Sequence, residues 1–173
     1  MRTRPLRFAF AFLAVFALLT SGFEASRGTA FERFVCESVI LEPTTQLINL
    51  VTPAEHVQLV GRMLVPPSGS RLHITRGCEG IEMFLLLIAA IVAFPAPLAH
   101  RVRGLLVGSV LAYALSVLRL MSLYYILRHN PALWEQLHGL ILPLGPIVLI
   151  ALYFLRWAAA TTPPRAGAAI RAT

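Results

Sequence analysis

Four long apolar runs, separated by more polar stretches, dominate the pattern of the chain: Leu6–Thr20, Ile81–Leu98, Gly104–Leu127 and Leu140–Trp157. A helix needs about 20 apolar residues, within a range of about 17–25, to cross the hydrocarbon core of a bilayer. The last three runs fit that length and predict spanning helices. The first is shorter and follows "MRTRPLR", which is also the outline of a secretory signal peptide. Because "SGFEAS" behind it is a poor cleavage site, the run is read as a retained helix over residues 1–22.

The stretch 23–77 is too long for a plain connector. "EPTTQLINLV" (42–51) has amphipathic spacing, with Thr44 or Thr45 near its start and Pro53 ending it. "HVQLVGRMLV" and "RLHIT" alternate like short strands on either side of the turn sequence "PPSGS". The pattern therefore predicts an all-α integral membrane protein of about four spanning helices. A small extracytoplasmic loop subdomain, a short helix plus a β-hairpin, covers one end of the bundle. Residues 78–158 form a three-helix core, and the tail 159–173, "TTPPRAGAAIRAT" at its end, reads as disordered and cytoplasmic.

Composition supports the membrane assignment. Of 173 residues, 57% are hydrophobic, and the mean hydropathy is +0.73. A soluble domain of this size is not so apolar. The formal charge of +7 comes from 15 arginines and eight glutamates, with no lysine and no aspartate. The arginines are scattered among the apolar runs and form no basic stripe, which argues against nucleic-acid binding. With the N-terminus inside, the inner segments hold Arg2, Arg4, Arg7, Arg101, Arg103, Arg156, Arg165 and Arg171. The outer segments, about twice as long in total, hold Arg27, Arg33, Arg62, Arg71, Arg76 and Arg128. This density predicts both termini inside.

Arg119 belongs to neither group, because it falls within the third run. An ionisable residue there costs about 2.5–3.5 kcal/mol on insertion scales, so it needs a reason. The predicted topology brings Arg119 to the same outer level as Cys78 and Glu82, at the mouth of the second run, and His138, at the mouth of the fourth. Cys78 at a helix N-terminus beside Arg76 has surroundings that favour thiolate, the nucleophilic form. A histidine can take the thiol proton and return it to a leaving amine. A guanidinium can stabilise a tetrahedral oxyanion. Together, Cys78, His138 and Arg119 suffice for acyl transfer from a peptide bond.

Each residue also has a structural explanation. Cys78 could pair with Cys36 in a disulfide or simply pack. Arg119 could exist to neutralise Glu82, and His138 could be an ordinary interfacial histidine. His73 and His129 lie on the same side and are alternative bases. The histidines and cysteines lack the paired spacing of a metal site. Tyr124, Tyr125, Trp134 and Trp157 suit an interfacial aromatic belt.

The ordered set "RLHITRGCEGIEMFLLLIAAIVAFP" and "LSVLRLMSLYYILRHNPALWEQLHG" resembles the exosortase/archaeosortase transpeptidases over roughly residues 36–157. Members carry Cys-x-Gly at the outer mouth of one helix, an arginine within a later helix, often as Asn-x-x-Arg, and a histidine at the mouth of the next. Those positions are Cys78 with Gly80, Arg119, and His138. The "GCEG" form looks most like the branch labelled XrtM, with XrtH as the alternative. The usual asparagine is Ser116 here, which keeps a hydroxyl but not an amide. The resemblance implies a cysteine peptidase or transpeptidase of the bacterial inner membrane that needs no cofactor and faces the periplasm. Its partners would be exported proteins with PEP-CTERM-like tails (a motif, a transmembrane helix and a basic cluster), passed on to a surface or exopolysaccharide acceptor. The contrasting expectation is a non-enzymatic scaffold or assembly factor, held by a Cys36–Cys78 disulfide and a Glu82–Arg119 pair in contact with membrane lipid.

Overall fold

The computed structural model describes residues 3–75, 77–134 and 137–161. It is mostly helical, and three helical stretches are long and apolar enough to cross a membrane: Leu6–Ala25, Leu98–His129 and Leu137–Thr161. The first lies in α1 (Thr3–Ala25). The run predicted as the second span forms a shorter helix, α4 (Ile81–Ala93). At about 1.5 Å per residue, its 13 residues reach only about 20 Å, short of a hydrocarbon core of about 30 Å. The cause is local. Pro95 and Pro97 follow, and the residue before a proline is pushed out of the helical region. Phe94 accordingly has ψ of 134°.

Helix α5 (Leu98–His129) starts at once behind these prolines, so the predicted inner loop 99–103 is helical. The last span begins as a π-helical turn, Leu137–Ile141, and continues as α6 (Leu142–Thr161) with Pro146 inside it. A proline there removes one backbone donor near the helix start.

The helices alternate in direction. The C-terminal end of α1 (Thr20, Phe23) borders the N-terminal end of α4 (Ile81, Leu85), and Arg7 and Phe8 border Ala93. Helix α5 carries small residues at four-residue intervals on its buried face: Gly104, Gly108, Ala112 and Ser116. Such a stripe lets neighbours approach closely. A Cβ on Gly104 would collide with the Trp157 indole, and one on Gly108 would lie 2.6 Å from Leu87. Tyr153 donates its hydroxyl to the Gly104 carbonyl at 2.6 Å, and Trp157 Nε1 donates to the His100 carbonyl at 3.2 Å. Outward faces carry Phe10, Leu13, Leu106, Val110, Leu152 and Leu155, which suits an apolar solvent.

The loop subdomain sits over the end where α4 begins. It comprises α2 (Ala30–Arg33), a π-helical segment Phe34–Leu41 and α3 (Glu42–Val51). The predicted helix 42–51 is thus observed, but Thr44 and Thr45 are not its caps. They donate back to the Ile40 and Leu41 carbonyls, because the chain enters already helical. Three strands follow: β1 (Gln58–Val60), β2 (Met63–Val65) and β3 (Leu72–His73), an antiparallel meander in that order. The hairpin predicted across "PPSGS" is present as β2–β3, with Leu64 opposite Leu72, but "HVQLVGRMLV" is not one strand: it folds on itself, with Val60 opposite Met63 and Gly61 at φ 58°, the geometry of a two-residue hairpin turn.

Hydrogen bonds brace the subdomain and fasten it to α5, among them one between Thr52 Oγ1 and the Tyr125 hydroxyl at 2.7 Å. Asn49 exchanges two bonds with the Val57 backbone, at 2.7 and 2.9 Å. Glu55, only 8% exposed, accepts from the Tyr124 hydroxyl at 2.6 Å and from Arg128 Nε. Arg128 also reaches the Ser68 carbonyl at 2.5 Å. The Tyr124 hydroxyl, with help from Arg128, holds the Glu55 carboxyl below its usual range. One core cluster joins the subdomain to the helix ends, with Cys36, Ile48, Leu64, Ile74, Leu120 and Tyr124 among its members. A second, around Leu87, Ile91, Ala112 and Ile150, fills the opposite half.

Candidate functional site

Residues 74, 75 and 77–80 lie in a turn between β3 and α4. Ile74 N–H donates to the Arg62 carbonyl at 2.9 Å, and Cys78 N–H donates to the Thr75 carbonyl at 3.1 Å. Gly77 and Gly80 have φ of 83° and 80°, a region open mainly to glycine. A Cβ on Gly80 would also collide with Ser116 Oγ. The second glycine therefore serves both the turn and the approach of α5.

These glycines change the placement of Cys78. The sequence predicts it at the helix N-terminus, with Glu82 one turn further along the same face. In the structure α4 starts at Ile81 with Gly80 as its cap, so Cys78 belongs to the turn and shares no helical register with Glu82. The left-handed Gly80 between them prevents continuous helix. The thiol is 6% exposed and lies 3.4 Å from Thr75 Oγ1. Arg76, the expected support for thiolate, lies outside the described residues, as do 162–173 of the expected tail.

Arg119 reaches the turn from α5. It is 8% exposed, and its Nη1 donates to the Gly77 carbonyl at 3.2 Å. Its Nε is buried with no hydrogen-bond partner. The expected Glu82–Arg119 pair is not formed, since neither residue occurs among the ion pairs of the described residues. Both line one cavity of about 120 Å³, together with Gly77, Met83, Pro143 and Ile147. Glu82 lies at its exposed edge, while the guanidinium is taken up by backbone. The expected Cys36–Cys78 disulfide is also absent. Both thiols are free and buried in the same cluster, and burial pushes the Cys36 thiol up.

Ser116 does not orient Arg119 as its place in the motif suggests. Its Oγ is buried without a partner and faces Gly80. His138 lies in the π-helical turn before α6. Its ring stacks on Trp134, with centroids 4.8 Å apart, and its Nδ1 is buried without a partner. Trp134 packs against the cluster that contains Cys78, which puts His138 at the same end of the bundle, but no hydrogen bond joins it to the thiol. The alternative bases are no closer by that criterion. His73 is exposed on β3, and His129 stacks on Tyr125.

Sequence reasoning missed the groups that shape the turn. Arg62, at the tip of the β1–β2 hairpin, pairs with both Glu32 and Glu79. Glu79 accepts from Gly77 N–H at 3.1 Å. Glu32 accepts from Gly28 N–H, which holds its carboxyl below the usual range. "VGRM" between two alternating stretches was the available signal, since a hairpin turn there puts Arg62 at a tip.

The class defined by these features is a mostly helical protein with three helices long and apolar enough to cross a membrane, capped at one end by a small mixed subdomain. Comparison with protein-family models, curated proteins and solved structures finds no match to the chain.

Proposed function

We propose that this protein is a membrane-embedded cysteine peptidase or transpeptidase of the exosortase type. The observation that carries this reading is Arg119: a guanidinium buried within an apolar helix, in no ion pair among the described residues, bonded to the residue next to Cys78 and facing a cavity. An uncompensated buried charge costs several kcal/mol. That cost is offset when a carbonyl oxygen in the cavity becomes an oxyanion, because donors fixed in a water-poor site then act at full strength.

In this reading Cys78 Sγ attacks a peptide carbonyl and its proton passes to His138. Arg119 takes the oxyanion of the tetrahedral intermediate. The C–N bond then breaks as His138 protonates the leaving amine, which leaves a thioester on Cys78. An acceptor nucleophile, or water, gives a proton to His138 as it attacks the thioester; the C–S bond then breaks, the acyl group leaves on the acceptor, and His138 returns the proton to Cys78. Cys78 and His138 share no hydrogen bond in the resting structure, so substrate must draw the His138 ring onto the turn. Such tightening on binding is common for catalytic pairs.

The substrate would be an exported protein whose tail holds a motif, a membrane helix and a basic cluster. In the proposed topology α1, α4, α5 and α6 all cross the bacterial inner membrane, with both termini cytoplasmic and the loop subdomain periplasmic. The short α4 crosses by local thinning or by protein packing around its ends. The alternating helix directions and the arginine distribution support this arrangement.

The test is processing of a tailed reporter in native membranes. Cys78→Ala is expected to abolish it, and Arg119→Ala to reduce turnover by about 10²–10³-fold, the usual loss for an oxyanion donor. Normal processing in Cys78→Ala would overturn the mechanism. Loss in Cys78→Ala with normal processing in His138→Ala would move the base role to His73 or His129.

A further inference from the structure

We infer that Arg62 and Glu79 are positioning residues that hold the Cys78 turn in register with Arg119, and so tie the β-meander of the loop subdomain to the site. The consequence for catalysis rests on the proposed function, whereas the mechanical claim does not.

Gly77 is gripped from both sides. Its N–H is held by Glu79 and its carbonyl by Arg119. Glu79 is 5% exposed, and a carboxylate so deeply buried requires a paired cation. Arg62 supplies it with one guanidinium nitrogen while the other bonds Glu32 at 2.9 Å. The planar fork of arginine suits such bridging, and a lysine ammonium would not hold both carboxylates in fixed directions. The Arg62 carbonyl in turn accepts from Ile74 N–H, three residues before Gly77. One residue at a hairpin tip therefore fixes the turn through its backbone on the β3 side and through its side chain on the Cys78 side. The resting clamp keeps Cys78 buried, next in the chain to the carbonyl that Arg119 holds.

The experiment measures N-ethylmaleimide labelling of Cys78 and Cys36 in the full-length protein in native membranes, mapped by peptide mass. Glu79→Ala leaves Arg62 paired with Glu32 and removes the grip on Gly77 together with the Arg62–Glu79 pair. Cys78 labelling is then expected to rise about 10–100-fold, as the loss of one or two charge-assisted hydrogen bonds allows, while Cys36 stays protected. Glu79→Gln keeps an acceptor for Gly77 N–H and is expected to fall between. Arg62→Lys is expected to restore part of the protection lost in Arg62→Ala. Reporter turnover is expected to fall as Cys78 labelling rises, because an exposed but misplaced thiol is a poor nucleophile. Unchanged Cys78 labelling in Glu79→Ala overturns the inference, as does an equal rise at Cys36, which reports general loosening. Normal processing in Cys78→Ala instead defeats the enzymatic reading and leaves the labelling result standing.

Discussion

Gly80 and Ser116 show how tightly single residues define the turn. Gly80→Ala combines a left-handed backbone with a collision against Ser116 Oγ. It is expected to cost about 1–3 kcal/mol, the usual range for strained backbone, read as a lower thermal midpoint in detergent. Ser116→Ala removes a buried hydroxyl that has no partner. A buried polar group without a hydrogen bond is itself a cost. This variant is therefore expected to be neutral or slightly stabilising, and it relieves part of the Gly80→Ala defect in the double mutant. An additive double mutant would mean that the two positions do not press on one another. Glu82 changes meaning at this scale too. The sequence paired it with Arg119, yet the guanidinium bonds backbone and the carboxylate stays at the cavity edge. Glu82→Gln is expected to leave insertion intact and to alter processing only through the substrate.

The meander and α3 dock on α5 through Glu55, Tyr124 and Arg128. Because the Glu55 carboxyl is held below its usual range, the charged form is the one the folded state prefers. Docking is thus strengthened above the ordinary carboxylate pKa, about 4.3, and that part is lost as pH falls through the lower folded value. The thermal midpoint of the wild type is expected to drop across that acidic window, and Glu55→Gln should flatten the drop. Tyr124→Phe removes one bond to a buried carboxylate and is expected to cost about 1–3 kcal/mol. A pH profile unchanged by Glu55→Gln would place the acid sensitivity elsewhere. On the other side of the bundle, Gly108→Val is expected to separate α5 from α4 and α6, since even a Cβ meets Leu87 and Tyr153.

At the scale of the molecule, the helices alternate in direction while the element between α1 and α5 is too short to span unaided. If α4 crosses, as proposed, residues near 96 and both termini lie on one side. Residues near 68 and 130 then lie on the other. Labelling of single cysteines at those places in a Cys36→Ser, Cys78→Ser background, with permeant and impermeant reagents, is expected to show that pattern. If residues near 96 and 68 label from the same side, α4 is re-entrant and the proposed four-span topology fails.

Much of this was legible without a fold. Apolar composition and run length were enough to mark the first, third and fourth runs, which form helices long and apolar enough to cross a bilayer, because the bilayer imposes length and satisfied backbone on any crossing segment. The amphipathic spacing of 42–51 located α3 in the same way. Local pattern could not decide what depends on contacts across the chain. The prolines at 95 and 97 cut α4 short, although the apolar run continues beyond Ala93. The left-handed Gly80 moved Cys78 off its helix. Whether Arg119 met Glu82, and whether Cys36 met Cys78, depended on where the loop subdomain lay. The role of Arg62 is not legible in the sequence, because its partners are 30 and 17 residues away and the chemistry of an arginine at a hairpin tip is set by what the rest of the fold brings to it.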